Sequence, residues 1–290
     1  MQLDIFDHSR DTMLRNDVVH ALVRRDAAMA RAAHQALCHE FPEDEAREPL
    51  AVLVDAVAEV PQTEFASHAT LQDARDTLTT RVAPAALRVL GDADGRAWLG
   101  PLWRAMAQRA ERLPFQSQCG DDHAAPLWLQ ACEWKLAMAS VERIASWRRI
   151  PAPLTWMAEA RCRLQGLDGT WDLLVELAWL APDRLDGLMS RLADPLLKRL
   201  RRKFDASWEG EGTVNDLAWF PAWVLTEQPS LFQLLRTAQH ALRSAPEEAM
   251  RLLAGLLELE RQGRQHDLIQ RRKELRDAFP ALYAGYMATR

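Results

Sequence analysis

Residues 20–44 read HALVRRDAAMARAAHQALCHEFPED, and this stretch decides the fold class. Leading into it, Leu14, Val18, Val19, Leu22 and Val23 recur at spacings of three and four, while Arg15, Asp17, Arg24 and Arg25 take the other side. That is an amphipathic helix with one face in a core. A polar turn at Arg25-Asp26 ends it, a short Ala-rich helix follows over about 26–40, and Pro42 closes the unit. Two helices joined so tightly form a hairpin whose apolar face cannot be buried alone.

Working outward, the same plan recurs twice. ARCRLQGLDGTWDLLVELAWLAPDR (160–184) turns at Gly166 and closes at Pro182; LLELERQGRQHDLIQRRKELRDAFPAL (256–282) turns at Gly263 and closes at Pro280. Between these units, apolar residues keep to helical spacing: Leu50, Leu53, Val54, Val57 and Val60 line a third helix before Pro61. Near 244 a start signal is written as Ser244 at the cap, Pro246 early in the helix and Glu247 at capping-box spacing. Prolines, including Pro84, Pro101 and Pro221, divide the rest into lengths suited to helices. Runs of alternating β-branched residues are missing, so the predicted class is all-α, with about a dozen helices.

On the small residues Ala30, Ala33 and Ala36, the turn before each second helix, and the closing Pro42, Pro182 and Pro280, the chain resembles the tetratricopeptide-repeat proteins. The resemblance covers about 75 residues and lacks an even 34-residue period. It implies stacked antiparallel helical hairpins forming an α-α superhelix. It carries no ligand with it, because fold does not fix function. The expected organisation is N-terminal hairpins over 1–115 and a Trp-rich half over 124–290, divided at the loop QSQCGDDHAAP (116–126), within one continuous superhelix.

Composition narrows the class further. At 48% hydrophobic and 27% charged, the chain can build a packed core and is not a disordered one. Residues 1–60 hold twelve acids against six arginines, a balance of −6 within a total of −5, which argues against nucleic acid on that face. The longest apolar runs fall short of a membrane span, and the acidic start MQLDIFDHSRD does not read as a signal peptide. Four cysteines (38, 119, 132 and 162) without dense spacing read as reduced thiols of a cytoplasmic protein.

Four places carry side chains with chemistry. His34, Cys38, His39 and Glu40 are zinc-ligand types, but one helix face offers two of them at most, and a site would need His8, His20 or His68 from elsewhere. The plainer reading is a buried Cys38 and imidazoles at a helix C-terminus. In CGDDH, Cys119 and His123 suit a nucleophile and base with Asp121 or Asp122 orienting the ring; with Cys132 they suit a metal site. The plainer reading there is a polar loop in which one aspartate caps the next helix. KRLRRKF, from Lys198 through Lys203, is the one concentrated basic run, readable as a phosphate contact or as a solvated helix end. Glu43, Asp44, Glu45 and Glu48 form a solvated helix entrance.

All eleven tryptophans lie between Trp98 and Trp223. Tryptophan and arginine are favoured anchors in binding grooves, and Pro221 is expected to interrupt or kink a helix between Trp219 and Trp223. The functional expectation is therefore an interaction or scaffold module without cofactor or catalysis. It presents a helical groove to a protein or peptide through Trp219, Trp223, Arg199 and Arg202. The alternative is a small-molecule- or metal-binding helical enzyme built on Cys119 and His123. Glycine-rich phosphate loops and familiar hydrolase motifs are not found.

Overall fold

A computed structural model describes residues 10–58, 63–239 and 244–289, so Val60, Pro61 and His8 lie outside the described residues. Within them the chain is all-helical, with no strand. There are seventeen α-helical segments, two of them fused through a π turn. That exceeds the dozen expected, because short helices of one or two turns, too brief to show a period, fill the connections.

The first compact unit, residues 1–133, contains α1 (Arg10–Val23), α2 (Ala27–Glu40), α3 (Arg47–Ala58), α4 (His68–Thr77), α5 (Ala83–Leu90), α6 (Asp92–Ala110) and α7 (Ala124–Gln130). Asp26 caps α2 by accepting from the Met29 N–H at 2.9 Å, as its place before an Ala-rich run requires. Arg25 holds the turn with φ of 56°. A left-handed arginine is costly, and its guanidinium offsets the cost by donating to the Trp98 carbonyl and lying 5.1 Å over the Trp98 ring. Trp98 Nε1 in turn donates to the Leu22 carbonyl at 2.9 Å, so α6 is pinned to the end of α1. Val23, expected in the core, is 60% exposed at the end of α1.

In this unit α1 packs on α2, α2 on α3, α3 on α5, α5 on α6 and α6 on α7. Gly95 lets α5 and α6 approach: a Cβ there would stand 2.9 Å from the Ala86 carbonyl oxygen. Pro101 does not divide the chain, for α6 runs through it. The expected division at 116–126 falls inside this unit, and the chain leaves the unit at Glu133.

The second unit, residues 134–290, contains α8 (Trp134–Glu142), α9 (Pro151–Gln165), α10 (Trp171–Leu180), α11 (Pro182–Leu192), α12 (Pro195–Ser207), α13 (Phe220–Glu227), α14 (Phe232–Leu235), α15 (Ala245–Gln262), α16 (Gln265–Ala278) and α17 (Pro280–Ala288). Every residue of α10 from Trp171 to Trp179 is buried, and α9, α11, α13 and α14 pack around it. The three expected helix pairs form: α1 with α2, α9 with α10 and α15 with α16. Their turn residues Arg25, Gly166 and Gly263 all have positive φ, at 56°, 76° and 70°. The closing ends also match. Phe41, Ala181 and Phe279, each before a proline, have φ between −155° and −129° with ψ of 70–79°. The ring of the next residue forbids the helical conformation there, and at 182 and 280 it starts the next helix. Ser244 takes the N-cap position of α15, but its hydroxyl is buried without a hydrogen-bond partner among the described residues, so the expected capping box is not made.

The two charges buried within α10 are matched by arginines from outside it, chiefly Arg148, with Arg161 Nη1 3.4 Å from Asp172. Arg148 donates from Nε and Nη2 to the Glu176 carboxylate, both at 2.6 Å, and from Nη2 to Asp172 at 2.8 Å. Glu176 also accepts the Gln239 N–H at 2.6 Å. Removing one partner of such a set strands the others in low dielectric. Arg148→Met is therefore expected to cost about 3 kcal/mol in urea denaturation. A loss below about 1 kcal/mol would mean that the set behaves as a surface pair.

Candidate functional site

A cleft of about 470 Å³ opens in the first unit between α3, α4, the π turn Leu78–Val82 and α6. Its floor is apolar. Leu78, Val82 and Met106 are buried there, and Val52, Ala56, Leu102 and Ala105 are partly covered. Its rim is charged, with Asp55 from α3, Asp73 and Thr77 from α4, Arg81 from the π turn and Arg109 from α6. Size and lining suit an organic ligand or a side-chain-bearing segment.

Local chemistry explains the wall. Pro84 has no N–H, and in unbroken α-helix its ring would meet the Thr80 carbonyl. The chain widens just before it: Ala83 N–H bonds to the Leu78 carbonyl, one residue further back than in α-helix. Thr77 and Thr80 hydroxyls bond back to the Asp73 and Asp76 carbonyls at 2.8 and 2.6 Å. At the far end Arg109 is anchored. It donates to the Thr63 carbonyl at 2.7 Å and lies 3.9 Å over the Phe65 ring, and burial lowers its pKa. Asp55, Asp73 and Arg81 are exposed and make no ion pair among the described residues.

Sequence reasoning passed over this cleft, because its lining comes from three segments that look unremarkable one at a time. The signal that could have found it is local: TLTTRVAP puts a proline two residues into a helix that is already running.

The expected sites are placed as follows. Trp223 is 7% exposed, with its ring against Phe204 and Phe220 at 5.4 and 6.1 Å, so it serves the core of the second unit and presents nothing to a groove. Trp219 is half-buried, stacked on Trp208 at 5.5 Å and edge-on to Phe279. Pro221 starts α13 after a 3₁₀ turn and does not kink a helix. On α12, Leu197, Leu200 and Phe204 face inward, leaving Lys198, Arg199 and Arg202 exposed. The basic run is partly neutralised: Arg201 pairs with Asp186 and Asp205, and Lys203 with Glu227 at 2.9 Å.

No metal-binding group of three or more His, Cys, Asp or Glu residues occurs among the described residues. The Cys38 thiol, partly exposed where burial was expected, lies 3.5 Å from His34 Nε2, which is itself 3.0 Å from the Arg47 carbonyl. Glu40 pairs with Arg10 at 2.8 Å. In the CGDDH loop the thiol of Cys119 points to Gln116 Oε1 at 3.4 Å, and Cys132 is exposed. The cap of α7 is His123, whose Nδ1 accepts the Ala125 N–H at 3.1 Å; neither aspartate takes that part. Asp44 is buried and holds the helix entrance, accepting from Arg15 and from the Ala46 N–H at 2.7 Å each.

Comparisons with protein-family models, curated proteins and solved structures found no match to this chain. What the fold and the cleft define is an all-α protein whose first unit carries an apolar groove with a charged rim. Among its described residues, no helix is long and apolar enough to cross a membrane.

One loop group has an unusual proton affinity. Burial pushes the Asp122 carboxyl above the ordinary aspartate range, although Arg75 Nη1 stands 2.6 Å from Oδ1. A carboxyl raised by folding favours the folded state fully below its unfolded pKa, and that contribution is lost as pH rises through the raised value. Measured by urea denaturation, the stability of Asp122→Asn relative to the parent should rise as pH climbs from about 4 toward neutrality. A difference that stays flat or falls would mean that the Arg75 pair outweighs burial.

Proposed function

We propose that this protein is an interaction module that holds a peptide segment of a protein partner in the cleft of its first unit and performs no covalent chemistry on it. The observation that carries the reading is the lining itself: an apolar floor bordered by Asp55, Asp73 and Arg81, charges without ion-pair partners among the described residues. An apolar floor drives association through the area it removes from water, and rim charges select which segment is accepted. Catalysis would need convergent acid, base or nucleophile groups, and the rim offers two separate acids and two arginines instead.

In this reading the chain is assembled from helical hairpins of tetratricopeptide type, stacked toward a superhelix. Support comes from the matching turns at Arg25, Gly166 and Gly263 and the matching ends at Phe41, Ala181 and Phe279. The four unpaired thiols suit a reducing, cytoplasmic setting. Arg199 and Arg202 remain open to a partner at the second unit, as secondary contacts.

Peptide-display selection against the purified chain tests the proposal. Enriched peptides should share apolar residues flanked by charge. Ala105→Arg, which sets a long cation over the floor, should weaken them at least about tenfold, or 1.4 kcal/mol. Thr77→Arg, at an exposed wall position, should act the same way without altering the thermal midpoint. Peptides that bind both variants as well as the parent, or no enrichment at all, would sink the reading.

A further inference from the structure

Resting on the cleft as a peptide groove, we infer that Asp73 and Arg81 are its specificity-determining pair, set in one line by the π turn, and that they read a base and an acid on the bound segment. The wall contributes residues 73 and 74, 77 and 78, and 81 and 82 to the cleft, a strict period of four over ten positions. An α-helix turns about 100° per residue, so a row repeated every four residues drifts about 40° at each step. Over two steps the last pair would swing about 80° out of line with the first. A turn closed by bonds five residues back holds more residues and takes up the drift of the step that it spans, which halves the swing. The Ala83-to-Leu78 bond is such a turn, and it falls between the second pair and the third.

The consequence is two parallel columns on one wall. Asp73, Thr77 and Arg81 form the polar one along the rim; Ala74, Leu78 and Val82 form the apolar one toward the floor. Eight residues at about 1.5 Å rise put the two charged positions about 12 Å apart along the helix. Their order is fixed, acid at the α4 end and base at the α5 end. Both are exposed, and neither is neutralised by another side chain among the described residues. The complementary occupant carries a base and an acid about 12 Å apart with apolar residues between them. That is about four positions in extended chain, or eight in helix. A small anion would satisfy Arg81 alone and leave Asp73 and the floor unused. A nucleic acid would meet the Asp55 and Asp73 carboxylates.

The test is a charge exchange. Peptides selected by the parent chain are measured against Arg81→Glu and Asp73→Lys, both at exposed positions, with thermal midpoints recorded. Each variant should weaken binding at least about tenfold, a loss typical of a removed charge contact. Replacing the peptide's acid by lysine should restore binding to Arg81→Glu and not to the parent. The same peptides with the two charges moved two residues closer should lose the preference. Binding to both variants within about twofold of the parent would overturn the pair as readers of charge. If Ala105→Arg abolishes binding while the charge variants do not, the groove stands and this inference falls. If no peptide binds the parent chain, both fall.

Discussion

A missing proton governs this architecture. Proline has no N–H to give a helix, and its ring disfavours helical geometry in the residue before it. At Phe41, Ala181, Gln228 and Phe279 the same corner results, an extended residue with ψ near 70–79° whose N–H still bonds back to the helix just ended. Where the next residue is Pro182 or Pro280, the ring that ends one helix is also the first residue of the following one. Corners of one shape, repeated, let a chain with only twelve glycines turn many times. At Pro84 the same chemistry acts mid-helix, and the backbone yields by widening where at these corners it breaks.

The second unit meets a different demand. Its central helix is buried on all sides yet carries Asp172 and Glu176. Ions in such a place are tolerated only with partners at hydrogen-bond distance. Arg148, close to the left-handed Ser146, brings three such bonds, the Gln239 amide adds a fourth and Arg161 a fifth. The charges therefore fix where two connecting segments lie against α10, which apolar contact alone would leave less defined.

Much of the helical pattern can be read from the chain. Asp26 announces α2, and Gly263 announces the end of α15, because capping and positive φ are local requirements that a few residue types meet. The tryptophan at 223 illustrates the limit. Four-residue spacing with Trp219 describes a helix face, and only the packing of Phe204 and Phe220 decides that this face points inward. Ser244 has the right neighbours for a capping box and does not form one, since the motif states what a hydroxyl is able to reach and tertiary burial decides whether it does. The cleft was hidden for a related reason. It depends on an extra residue in one helical turn, and hydrophobic periodicity is too coarse to register a single insertion.

The placement of tryptophan has a spectroscopic consequence. Three indoles, at 98, 103 and 128, belong to the first unit and eight to the second. None lines the cleft, and none occurs in α1–α5 or α15–α17. Eight of the eleven indoles therefore report on the second unit, among them Trp171 and Trp179 in α10 and the stacked pair Trp208 and Trp219. An indole introduced at exposed Thr77 would give the cleft an optical signal of its own, at the wall where its charged and apolar columns run side by side.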